Sequence, residues 1–142
     1  MRFVQKYPHG QFCWLDLGTT DRPGAVAFYS RLFGWGSVDA PMDKGIYTMF
    51  KFKDHDTGAV YELDKQMLSQ GIPPHWMLYV SVDNVDLDAS RVASLGGKVL
   101  MGPFDVLTVG RMAVIQDPQG ATFALWQAKD HTGLGVIDEP GA

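Results

Sequence analysis

The side chains best suited to act on another molecule are the carboxylates of Asp16 and Glu62 and the imidazole of His75. A carboxylate can take a proton or orient a ligand amine, and an imidazole changes charge near neutral pH. Glu62 stands in Gly58-Ala59-Val60-Tyr61-Glu62-Leu63, a hexamer that returns as Gly120-Ala121-Thr122-Phe123-Ala124-Leu125. The second copy carries a methyl group where the first carries the carboxylate, so any symmetric use of that position is lost. Asp16 alternates with Phe12 and Trp14 on one strand face, while Cys13, Leu15 and Leu17 take the other, which is expected to be core. His75 opens a strand after Pro74 and shares a face with Met77 and Tyr79, although a histidine at a strand end is more often hydrated than catalytic.

Other candidates have plainer readings. Asp54-His55-Asp56 resembles a metal cluster, but neighbouring residues point in divergent directions, and the segment reads as a turn. His9, His55 and His131 fall in expected loops or tail, and Cys13 points into the core. Neither a phosphate-binding glycine loop, a serine nucleophile elbow nor a zinc-type cysteine spacing is present.

The elements that must position these residues come from a chain of 142 residues, 46% hydrophobic and 20% charged, which suits one domain or two small modules around a core. A formal net charge of -4 with no basic run gives no electrostatic reason to expect nucleic acid or an anionic membrane as partner. No apolar run approaches the roughly 20 residues that span a bilayer. A single cysteine and an N-terminus without an apolar signal core make a cytoplasmic location the economical expectation.

Strand patterns cover residues 11–18, 35–40, 47–53 and 59–63, with a helix after Asp21 that ends at Gly34. Residues 65–74, ending in Pro73-Pro74, read as a linker. The order then repeats: a strand over 75–82, a helix after Asn84 that stops at Gly96-Gly97, and strands over 98–105, 108–116 and 121–127. The expected organisation is module 1 over about 10–64, module 2 over about 75–128, and a mobile or surface-draped tail over 129–142. A shift of 63 places Trp14 on Met77 and Asp21 on Asn84, which supports a duplication.

Leu15-Asp16-Leu17-Gly18-Thr19-Thr20-Asp21, Phe28-Tyr29 through Phe33-Gly34-Trp35, Val80-Ser81-Val82-Asp83-Asn84-Val85 and Asp117-Pro118-Gln119-Gly120 carry a resemblance to a known family. Together they resemble the vicinal oxygen chelate superfamily, which includes glyoxalase I, bleomycin-resistance proteins and extradiol dioxygenases. The resemblance implies an α+β fold of two tandem βαβββ modules, with curled mixed sheets around a cavity and helices on the outer face. It also implies a homodimer.

In metal-dependent members of that superfamily the metal is held from the first and last strands of each module. Laid onto this sequence, those positions are Trp14, Glu62, Met77 and Ala124, of which only Glu62 could coordinate, so no metal and no other cofactor is expected. The same resemblance makes Phe12, Trp14, Met77, Tyr79 and Trp126 the cavity wall, with Asp16, Glu62 and His75 as sparse polar groups. Such a wall suits a flat or greasy organic molecule, unless the side chains fill the space themselves. The function expected is metal-independent binding of an aromatic or amphipathic small molecule, as in bleomycin-resistance proteins. Two alternatives stand beside it: an acid-base enzyme, a lyase or isomerase using Glu62, and an interaction module with a collapsed cavity.

Overall fold

Alternating apolar residues and well-capped helices build the same βαβββ order twice in the computed structural model, which describes residues 2–42, 45–138 and 140–142. Between the strands expected over 35–40 and 47–53, Asp43 and Lys44 lie outside the described residues. The chain divides into two compact units. The first comprises Leu15–Trp76 with the chain up to Val4 and from Leu134 on, and the second comprises Gln5–Trp14 and Met77–Gly133.

In the first unit, β2 (Phe12–Thr19, from Leu15 on) leads to α1 (Arg22–Phe33), then β3 (Gly36–Pro41), β4 (Ile46–Phe52) and β5 (His55–Glu62). The strands lie in the order β3-β4-β5-β2, antiparallel except for the parallel pair of β5 with β2. Asp21 caps α1 by accepting the Gly24 N–H at 3.0 Å, and Gly34, at φ 73°, ends it. The helix packs on one sheet face, where Ala25, Val26 and Tyr29 cover Leu17, Phe50 and Val60 together with Trp35 and Trp76. Phe50 and Val60 are fully buried, each contributing about 1.5–3 kcal/mol of apolar transfer.

Two sequence expectations change here. β5 begins at His55 rather than Ala59, because Lys53 and Asp54, at φ 48° and 65°, turn the chain in two residues and pair Phe52 with His55. The expected linker holds a short helix, α2 (Lys65–Ser69), because Asp64 accepts the Met67 N–H at 2.8 Å and so caps it.

The second unit runs β6 (His75–Ser81, from Met77 on), α3 (Val85–Val92) with a 3-10 turn at Ala93–Leu95, β7 (Lys98–Val106), β8 (Gly110–Gln116) and β9 (Thr122–Ala128). Its order, β6-β9-β8-β7, again places the first strand parallel to the last. Asn84 caps α3 through the Leu87 N–H, and the helix covers Ala113, Ile115 and Leu125 with Val82, Val85 and Ala89.

The C-terminal segment is more tied down than its composition indicates. β10 (Val136–Ile137) pairs with β1 (Arg2–Phe3) within the first unit, and Val136 is fully buried. Within the second unit, Gly133, at φ 136°, passes so close to Cys13 and Tyr7 that a Cβ would lie 2.3 Å from the Cys13 carbonyl oxygen.

Candidate functional site

Strand register decides which side chains share a face. Leu17 pairs with Val60 beneath α1, so their neighbours Asp16 and Gly18, paired with Ala59 and Tyr61, belong to the opposite face. Tyr47 and Met49 pair with Tyr61 and Ala59 and join them there. The buried Asp16 carboxylate accepts the Tyr47 hydroxyl at 2.9 Å, and the half-buried rings of Tyr47 and Tyr61 stack with centroids 6.3 Å apart and planes 25° from parallel. Burial, then the charges of Asp16 and Asp64, pushes the Tyr61 phenol up to about 12, so it stays a proton donor through the physiological range. Gly18 makes room for that hydroxyl: a Cβ there would meet it at 3.0 Å and Leu63 Cδ2 at 2.7 Å.

Glu62 stands apart from this group. It pairs with Thr19 and lies on the α1 side, so it does not share a face with Asp16 as the sequence reading supposed. Its exposed carboxylate accepts the backbone N–H of Arg22, the first residue of α1, at 3.3 Å. In the second unit Gln127 does the same for Val85, the first residue of α3, at 2.9 Å. The side chain at this position ties a strand end to the start of its own helix.

In the second unit Trp14, Tyr79 and Trp126 are buried, with Trp14 and Trp126 packed on His131 and Tyr79 packed on Trp126. Trp14 meets His131 edge-on at 4.5 Å, Tyr79 meets Trp126 at 6.2 Å, and the Trp126 indole N–H donates to the His131 carbonyl at 2.8 Å. Gly110 lies against Trp126, where a Cβ would come within 2.3 Å of the ring. Met77 is half-buried in β6, and Phe12, 61% exposed, sits at the start of β2. His75 belongs to the first unit and is held by its own loop, with Nδ1 2.8 Å from the Pro73 carbonyl. Cys13 is buried, its S–H directed at the Tyr79 carbonyl, and burial pushes its thiol up to about 12.

The sequence reading named Asp16 but missed Tyr47 and Tyr61, and it left His131 in the tail. Tyr61 takes the hexamer's aromatic position, whose second copy, Phe123, packs beneath α3, but Tyr61 itself lies on the face away from α1. A signal was available in Gly18, the one residue of β2 that leaves space above it for a neighbouring ring.

The residues present do not fit a resident divalent metal. Among the described residues no three His, Cys, Asp or Glu side chains gather into a group that could hold an ion. The positions expected to supply ligands hold an indole packed on His131, a carboxylate joined to a helix start, a thioether and a methyl group.

A family model described as the Glyoxalase/Bleomycin resistance protein/Dioxygenase superfamily matches residues 11–125. The Mycobacterium tuberculosis protein named "Putative glyoxylase CFP32" is 39% identical over 138 residues, covering 96% of this chain and 52% of the relative. "Anthracycline biosynthesis protein DnrV" of Streptomyces peucetius is 35% identical over 150 residues, covering 98% of this chain and 54% of the relative. The chain therefore spans about half the length of these curated relatives. Methylmalonyl-CoA epimerase of Streptomyces coelicolor superposes with a TM-score of 0.60 at 17% identity, over 85% of this chain and 96% of that one, a likeness of fold. One family description matching most of a chain built from two βαβββ modules makes this protein a member of the Glyoxalase/Bleomycin resistance protein/Dioxygenase superfamily.

Proposed function

We propose that the chain binds a small, planar aromatic or amphipathic organic molecule without a metal, sequestering it rather than transforming it, and that it does so as a homodimer. The observation carrying this reading is the group on the face opposite α1: two stacked, half-buried tyrosines beside a buried carboxylate, with the half-buried Met49 on the same face. Flat rings gain about 0.5–1.5 kcal/mol from aromatic contact beyond the area they bury. The donor chemistry at the metal positions gives independent support. So does the name of one relative, since anthracyclines are polycyclic and planar.

Acid-base catalysis by Glu62 is the weaker reading, because its counterpart in the second unit is Gln127, an amide that cannot take a proton. Titration calorimetry with neutral polycyclic probes tests the proposal. Saturable binding of one probe per chain is expected, and the absence of binding at the solubility limit of every probe would remove it. Light scattering should give twice the 15.7 kDa chain mass, and a monomer mass across micromolar concentrations would remove the dimer.

A further inference from the structure

Tyr61 differs from its neighbours in how its polar end is placed. Tyr47 spends its proton on Asp16, but no hydrogen bond is made by the Tyr61 hydroxyl among the described residues, although its ring is fixed by the stack on Tyr47. The hydroxyl lies over Gly18, on the face away from α1, where β2 has no side chain to cover it. A phenol with an immobilised ring and an accessible hydroxyl is a preformed donor, and its proton is retained because burial and two carboxylates oppose ionisation.

From this arrangement we propose that the Tyr61 hydroxyl recognises the carbonyl oxygen of a neutral, planar ketone or quinone lying along the Tyr47–Tyr61 face. The ligand's rings meet the half-buried tyrosines and Met49 while its carbonyl accepts the phenolic proton. The charges of Asp16 and Asp64, both felt at Tyr61, select against an anionic ligand. A carboxylic acid or phosphate ester is thereby disfavoured, which narrows the ligand class from flat organic molecules to uncharged carbonyl compounds. The inference rests on the binding reading above and adds the group recognised.

The matched probes 9-fluorenone and fluorene differ only in the carbonyl, and calorimetric titration of the full chain with each isolates that group. The wild type should bind fluorenone about 3- to 10-fold more tightly than fluorene, the range of one net hydrogen bond. In Tyr61→Phe, which keeps the ring, the ratio should fall to about 1. Fluorenone-2-carboxylate should bind the wild type more weakly than its methyl ester, and the difference should shrink as salt is raised. Equal affinity of the wild type for fluorenone and fluorene, or a ratio that survives Tyr61→Phe, would overturn this inference and leave the binding reading standing. Failure of both probes to bind would overturn the two together.

Discussion

Glu62 and Gln127 occupy one structural position in the two modules, each accepting the first backbone N–H of the helix in its own unit. An amide oxygen serves that N–H nearly as well as a carboxylate, so the charge of Glu62 is not needed for the fold. Glu62→Gln should change unfolding free energy by no more than about 0.5 kcal/mol, the usual range for an exposed substitution, as read from denaturant melts. It should also leave the affinity for neutral planar probes unaltered. A loss of binding in Glu62→Gln would return that carboxylate to the site. At this scale the sequence was half legible: alternation puts Asp16 on the face opposite Leu17, but the partners of Asp16 come from β4 and β5, and register between distant strands is not written in either strand alone.

Among the elements, the doubled βαβββ order was readable because helix caps and stops recur at matching places: Asp21 and Asn84, Gly34 and Gly96. The hexamer that drew attention to the duplication misaligns it. Leu17 pairs with Val60 and Val80 with Leu125, so Val60 and Leu125 correspond at a spacing of 65 rather than the hexamer's 62. Glu62 and Gln127 stand at that same spacing of 65. In β5 the letters Gly58-Ala59 lie within the strand, whereas Gly120 is in the turn before β9.

The hairpin between β4 and β5 was hidden for a different reason, since Lys53-Asp54 is a poor composition for two residues of positive φ. Replacing that pair with Asn-Gly should relieve the left-handed strain and stabilise the protein by about 1 kcal/mol, raising the denaturant midpoint with the slope unchanged. An unchanged or lower midpoint would mean that neighbouring contacts, and not the backbone, hold the turn.

For the whole molecule, the aromatic content divides between two uses. Trp14, Trp126 and His131 of the second unit pack on one another, with Tyr79 against Trp126, whereas Tyr47 and Tyr61 of the first unit keep surface and a phenolic donor on the face opposite α1. Composition does not distinguish a buried aromatic cluster from a binding surface, because both need the same residue types, and only the register separates them. The central claim is that recognition of a planar molecule uses these side chains and no metal ion. Its most direct test is calorimetric titration with fluorenone before and after exhaustive chelator treatment, with the metal content of both samples measured. Binding of equal affinity in the two samples, unchanged when Zn, Ni, Mn or Co is restored, is the expected result. About one tightly held metal ion per chain, or binding that vanishes with the chelator and returns with the metal, would contradict it.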